Sequence, residues 1–332
     1  MELSLDTINR MILDRIQRSF PMVPRPYDAL AEGLEIDSRE VRTRIEALKE
    51  DGLLRQISAI FNTGALGYRS SLVAMAVPEE ALEKAVAEIN RYPGVSHNYL
   101  RPGAFNIWYT IAVPPGESLQ QTVDALSQSA GGWPTLILPA LKKYKLAVVL
   151  DVLEEGEAAP NDEPMELPRV EAKDSFEPSA GNIRVVRCVQ EDLPLVERPF
   201  KRWADELEMA EGELLRLISH WLERGYMRRF AAVLNHRQVG FGANGMVVWS
   251  CPEGRIDECG RIVASHPEVS HCYHRPAHAV WPYNLYAMVH GRNTEECGRV
   301  ADKLADGIHL HDYAIHFSTR EFKKIRLKLF WD

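Results

Sequence analysis

The chain contains the same pattern twice, and this duplication limits its fold more than any other feature. "DGLLRQISAIFNTGALGY" (51–68) aligns with "RGYMRRFAAVLNHRQVGF" (224–241). Gly52, Asn62 and Gly67 match Gly225, Asn235 and Gly240 at an offset of 173 (225 − 52). His97 matches His271 at 174, and "FNIWY" (105–109) matches "YNLYA" (283–287) at 178, so the second copy has a short insertion around "HAVWP". Lys142 and Lys143 align with Lys323 and Lys324 at 181. Two copies of one architecture are therefore fused. Between them runs "LEEGEAAPNDEPMELPRVEAKDSFEPSAGN" (153–182), acidic and aperiodic, with the composition of a linker.

Each copy divides in two. In the first, "TINRMILDRI" (7–16), "PYDALAEGL" (26–34) and "DSREVRTRIEALKEDG" (37–52) have helical apolar spacing, with Asp37 and Ser38 as caps and Gly52 as a stop signal. "LLRQISAIFN" reads as a following hairpin, which makes a winged helix-turn-helix. The remainder reads strand, helix, strand, strand, helix, strand, closing with "KKYKLAVVL" in the first copy and "KKIRLKLFW" in the second. That βαββαβ order predicts a ferredoxin-like domain. The fold class is α+β, a tandem duplication with pseudo-dimeric sheet-on-sheet packing. The expected divisions are winged helix-turn-helix 1 over 1–67, ferredoxin-like domain 1 over 68–151, the acidic linker over 152–182, winged helix-turn-helix 2 over 183–240 and ferredoxin-like domain 2 over 241–332.

Bulk properties remove several classes. The 332 residues, 45% hydrophobic, can bury real cores, and no run of about 18 apolar residues spans a membrane. "MELSLDTINR" lacks a signal-peptide pattern, so a cytoplasmic location is expected. The formal net charge of −8 argues against nucleic-acid binding by bulk charge. The candidate recognition segments argue the same way: 37–52 interleaves its arginines with five acids, and "EMAEGELLRLISHWLER" (208–224) is acidic at the end that would meet bases. The five cysteines form no C-x-x-C pair, which speaks for free thiols rather than a zinc or iron–sulfur site.

What needs a functional explanation is "VSHCYHRP" (269–276) and its earlier counterpart "VSHNYLRP" (95–102). Side chains alternate along a strand, so His271, Tyr273 and Arg275 share one face, as do His97, Tyr99 and Arg101. Such a stripe spans roughly 13 Å. If the open faces of the two sheets stack, as homologous dimers do by symmetry, the two stripes line a shared crevice. Arginines in that position need an anion, and neither stretch contains an acid. Tyr99 and Tyr273 suit either an interface or a ligand. Ten of the eleven histidines lie beyond residue 219, and His271, His274 and His278 cluster beside Trp281 and Tyr283. Those two aromatics either stack on a flat ring or fill the inserted loop. In "HLHDYAIHF" (309–317), His309, His311 and Tyr313 alternate onto one face, consistent with an edge hairpin; His220 and His236 read as structural.

A winged helix followed by βαββαβ resembles the Lrp/AsnC regulators, over nearly the whole chain and twice. "LPLVERPF", "GYMRRFAAVLNHRQVGFGANGMVVW" and "VSHCYHRP…WPYNLYAMVHG" resemble one branch, the sirohaem decarboxylases, in their fused two-subunit form. The resemblance implies removal of carbon dioxide from two acetate side chains of sirohaem, at C12 and C18, in haem d1 or alternative haem synthesis. It implies no cofactor beyond the substrate's own iron-tetrapyrrole, whose eight carboxylates supply the missing anion. His97 and His271 are then the general acids. Arg101 and Arg275 hold carboxylates, and Tyr99, Tyr273, Trp281 and Tyr283 bind the ring. His274 is a candidate ligand of the substrate iron, although its strand face argues against it. Rival readings are a ligand-responsive DNA-binding regulator and a non-catalytic tetrapyrrole carrier. One chain forms a pseudo-dimer, and a further dimer is left open.

Overall fold

The computed structural model describes residues 6–146, 172, 174–234 and 243–331. Most of the expected linker lies outside them, as do Asn235, His236 and Gly240. In chain order the first copy forms α1 (Thr7–Arg18), α2 (Pro26–Ala31), α3 (Ser38–Glu50), β1 (Leu54–Phe61), β2 (Arg69–Met75), α4 (Leu82–Arg91), β3 (Val95–Leu100), β4 (Ile107–Val113), α5 (Leu119–Ser129), β5 (Thr135–Leu138) and β6 (Lys142–Leu146). The second forms α6 (Ala180–Val189), α7 (Pro199–Glu206), α8 (Glu211–Arg224), β7 (Met227–Leu234), β8 (Ala243–Trp249), α9 (Ile256–Ser265), β9 (Val269–His274), β10 (Leu285–Gly291), α10 (Thr294–Ile308), β11 (Tyr313–Phe317) and β12 (Arg320–Lys324). No helix among the described residues is long and apolar enough to cross a membrane.

The chain folds into two compact units that pair like with like. One unit, residues 6–67, 174–234 and 329–331, holds both helix-turn-helix segments. Local signals set its helices: the Asp37 side chain accepts from the Glu40 N–H at 2.8 Å, and Gly52 takes a left-handed φ of 72° just past α3. α6 begins inside the expected linker because the Ser179 hydroxyl caps it, accepting from the Asn182 N–H at 3.2 Å. The expected wing hairpin does not form. Its segment has no glycine or proline to turn it and runs as one strand, β1, which pairs antiparallel with β7 of the other copy. Ser58 lies opposite Ala231, its own counterpart at an offset of 173 (231 − 58), so a local pseudo-twofold axis passes between them.

The other unit, within residues 68–146 and 243–328, holds two five-stranded antiparallel sheets. Their orders are β12-β3-β4-β2-β5 and β11-β8-β10-β9-β6. Helices cover one face of each, over Val73, Tyr109 and Ile111 in the first and Val247, Cys272 and Ala287 in the second. The remaining faces meet through Ala74, Trp108, Leu138, Met246, Val248 and Tyr286.

One expectation about these sheets is overturned: neither copy closes its own sheet with its last strand. The short β5 and β11 take that place beside β2 and β8, and the chain then crosses over. Pro139, which has no N–H to continue a ladder, follows β5 directly. β6 docks on β9 of the second copy and β12 on β3 of the first. The structural offset between these strands is 178 (320 − 142), which matches Tyr144 with Phe322, rather than 181. α9 receives the exchanged strand: Asp257 accepts from Lys142 Nζ and from the Tyr144 hydroxyl, each at 2.7 Å. A Cβ at Gly260 would overlap the Tyr144 ring.

Gly260→Ala tests that docking. Helix propensity alone would raise stability by up to about 1 kcal/mol. Overlap with Tyr144 is expected to win and to lower it by about 1–3 kcal/mol, read from the urea midpoint.

Candidate active site

Strand register places the two stripes. On β3, His97 lies opposite Thr110 and Tyr99 opposite Trp108, while Asn98 and Leu100 pair with Tyr109 and Ile107 on the helix-covered face. On β9, His271 lies opposite Met288 and Tyr273 opposite Tyr286, while Cys272 and His274 pair with Ala287 and Leu285 on the helix-covered face. His97, Tyr99, His271 and Tyr273 thus share the face that meets the other sheet. His274 does not, so its placement gives no support to a role as iron ligand.

A one-residue bulge shapes each stripe, at Ser96 and at Ser270. It sets Ser96 Oγ 2.9 Å from His97 Nδ1 and Ser270 Oγ 2.8 Å from His271 Nδ1. The imidazoles are thereby oriented through one ring nitrogen. Each imidazole also leans on the next aromatic of its stripe, with ring centroids 6.2 Å apart for His97–Tyr99 and 6.1 Å for His271–Tyr273.

Arg101 and Arg275 follow β3 and β9 and turn into the space between the sheets. Arg101 Nη1 donates to the carbonyl of His316 on β11, and Arg275 Nη1 donates to that of Leu138 on β5. Those acceptors are themselves counterparts, at an offset of 178 (316 − 138). The arginines are only 5% and 9% exposed. Their guanidinium carbons lie 5.7 Å from the Tyr99 ring centre and 4.7 Å from that of Tyr273, and Tyr286 adds a second ring 5.5 Å from Arg275. Among the described residues neither arginine meets a carboxylate, and Arg275 Nε is buried without a partner. Burial pushes Arg101 down to about 10 and lowers Arg275 as well.

The same contacts correct the expected shared crevice. β3 and β5 are three strand spacings apart in one sheet, roughly 14 Å. Arg101 reaches one edge strand and Arg275 the opposite one, so the stripes lie at opposite edges of the sandwich. Each faces an edge of the other sheet, and two separate clusters result. The exchanged strands flank them: Lys324 of β12 lies opposite His97, and Lys143 of β6 opposite Tyr273. Sequence alignment had marked these lysines only as repeat landmarks.

Trp281 is a second correction. It is 6% exposed and packs in the layer between the sheets, 5.2 Å from Trp108 and 5.9 Å from Phe105 by ring centres. Its indole N–H donates to the Tyr286 hydroxyl at 2.7 Å. It fills the centre instead of offering an open stacking surface, and half-buried Tyr283 packs edge-on against it at 4.9 Å. The inserted loop is closed by reciprocal backbone hydrogen bonds between His278 and Trp281.

His316 was missed. The expected alternation from His309 fails because His309 is the left-handed end of α10, and the strand starts at Tyr313. His316 consequently points between the sheets, 5.2 Å from Trp281 and 6.1 Å from Trp108 by ring centres, with a buried Nε2 that has no partner. Burial, then the Arg101 charge, lowers its pKa. Matching β11 to β5 at offset 178 would have revealed it. Among the described residues no three His, Cys, Asp or Glu side chains converge to hold a metal ion.

Comparison with known proteins adds the family. A model described as "AsnC-like ligand binding domain" matches residues 65–145 and 238–323, and one described as "Siroheme decarboxylase NirDL-like HTH domain" matches 9–55 and 182–228. The chain is 40% identical over 322 residues to a siroheme decarboxylase of Hydrogenobacter thermophilus, covering 96% of this chain and 94% of that one. It belongs to the sirohaem decarboxylase family. The siroheme decarboxylase beta subunit of Methanosarcina barkeri is 40% identical over 45% of this chain and 97% of its own length, so in the sirohaem decarboxylases one repeat can be a separate subunit. The crystal structure of the siroheme decarboxylase NirDL in complex with an iron-uroporphyrin III analogue matches with a TM-score of 0.76 at 36% identity, over 97% of this chain and 94% of that one.

Two stability measurements test the site. Arg275→Met is expected to leave the unfolding free energy unchanged or to raise it by about 1–4 kcal/mol, because no ion pair is broken and a costly buried charge is removed. A loss of about 3–5 kcal/mol would show a carboxylate partner instead. For His316, the unfolded chain binds a proton near the ordinary value of about 6.5 that the folded chain resists. The native state therefore weakens as pH falls through about 6.5, down to the lower folded value. His316→Phe is expected to flatten that slope in urea midpoints taken between neutral and mildly acidic pH.

Proposed function

We propose that this chain removes carbon dioxide from two acetate side chains of sirohaem, those at C12 and C18. The observation that carries this reading is the pair of buried arginines that meet no acid among the described residues. Burying a cation costs several kcal/mol, and one carbonyl dipole and a tyrosine face offset only part of that. A polycarboxylate supplies the rest, with each charge-assisted hydrogen bond contributing about 1.5–3 kcal/mol. Arg101 and Arg275 hold acetate or propionate groups; Tyr99 and Tyr273 line the ring edge.

Decarboxylation breaks the C–C bond to the carboxylate and leaves its electron pair on the methylene carbon, in conjugation with the macrocycle. A proton then completes the methyl group. His97 and His271, each oriented by a serine, supply it, since imidazole titrates near neutrality. The apolar layer of Trp108 and Trp281 keeps water from the reacting bond. No cofactor beyond the substrate's own iron-tetrapyrrole is needed.

The helix-turn-helix unit serves this reading as scaffold. Arg44 on α3 is bound to Asp6 and Glu40, Lys49 to Asp192, and Glu211 at the start of α8 is buried against Arg198. Those side chains are committed to acids, leaving them poor contacts for phosphates.

Anaerobic incubation with sirohaem, followed by product mass, tests the proposal. Two losses of carbon dioxide are expected. Arg101→Gln with Arg275→Gln should weaken sirohaem binding at least ten-fold, or about 1.4 kcal/mol, and the paired His97→Ala, His271→Ala chain should bind but not turn over. Unchanged substrate mass with intact binding would make the protein a carrier, and a salt-sensitive shift of an operator-length duplex would make it a regulator.

A further inference from the structure

The two clusters differ in what stands behind the histidine. In the second copy the Ser270 hydroxyl, 2.8 Å from His271 Nδ1, also lies 2.6 Å from Nε2 of His290 on β10. In the first copy Ser96 instead meets the Thr110 hydroxyl at 2.9 Å, and the counterpart of His290 at offset 178 (290 − 112) is Ala112. His290 lies opposite Asn244, just as Ala112 lies opposite Ser70, so the difference is one of side chain and not of register. A hydroxyl bridging two imidazoles can pass a proton between them; a hydroxyl bridging an imidazole and a threonine has no titratable group to draw on.

We propose that His290 supplies, through the Ser270 hydroxyl, the proton that His271 delivers, giving the second-copy cluster a proton store at the position where the first copy has Ala112. This rests on the reading of His271 as proton donor. In the balanced step His271 starts neutral with its proton on Nε2, and His290 starts as imidazolium. His271 Nε2–H protonates the substrate methylene carbon. The Ser270 O–H bond breaks as its proton goes to His271 Nδ1, and Ser270 oxygen takes the Nε2 proton of His290. Serine is regenerated, His271 ends as the other neutral tautomer, and His290 ends neutral and reloads from solvent. His290 touches no substrate; it acts through His271. On the two strands beside β10, the described titratable group next to His290 is His271, beyond Ser270 on β9, while β8 places Asn244, which does not titrate, opposite it. Glu268, whose carbonyl accepts the His290 backbone N–H, holds Lys303 of α10 at 3.2 Å.

The test uses the full chain carrying His97→Ala, so that only the second cluster turns sirohaem over. Adding His290→Gln keeps a hydrogen-bond donor near Nε2 but removes the titration. The expected result is a kcat lowered on the order of ten-fold, with KM unchanged and the fall of kcat toward alkaline pH abolished. Ser270→Ala should give the same flattened profile, and both variants should keep the parent's urea midpoint. A parental kcat and pH profile in His290→Gln, or a change in KM alone, overturns the relay. If His271→Ala in the same background keeps full turnover, the reading of His271 fails beneath it. If His97→Ala alone abolishes turnover, the relay is overturned because the second cluster does not work by itself.

Discussion

Each buried arginine between the sheets must find an acceptor where water is excluded, and each finds a main-chain carbonyl on the other copy's edge strand. Arg101 reaches His316 and Arg275 reaches Leu138. A carbonyl has no net charge, so the contact orients the guanidinium without neutralising it. Positive charge is left at two places between the sheets, beside tyrosine faces and near serine-oriented imidazoles. That combination suits a flat polyanion, and it exists only while both sheets keep their relative register.

Strand exchange maintains the register. β6 leaves the first copy for β9, and β12 leaves the second for β3, so each cluster is built from both copies. The antiparallel pairing of β1 with β7 repeats the same logic in the helix-turn-helix unit. Fusion into one chain preserves these pairings while letting the copies diverge. Some of that divergence lies between the sheets: Trp281 arrives with the insertion, His316 stands where the first copy has Leu138, and His290 where it has Ala112.

Much of this was readable from residue order. Helices, caps and the strands β2, β3 and β4 follow from local periodicity, and alternation placed His97, Tyr99, His271 and Tyr273 on one face and His274 on the other. Failures came where local pattern is silent about partners. "LLRQISAIFN" reads the same whether it turns back on itself or pairs with its twin. "KKYKL" reads as a strand whichever sheet receives it. Trp281 in a loop is equally a platform or a plug, and the registers around it decide for the plug.

The sequence by itself determined that there are two copies, that each carries an imidazole–phenol–guanidinium stripe, and that this stripe faces away from the helices. The duplication is written in matched residues 173 to 181 positions apart, and the stripe and its facing in spacings of two to four residues, which covalent geometry imposes. Only tertiary structure decided that the stripes occupy opposite edges, that exchanged strands complete them, and that a carbonyl rather than an acid receives each arginine. These depend on which distant backbones come to lie side by side, and a linear pattern of alternating side chains carries no record of that.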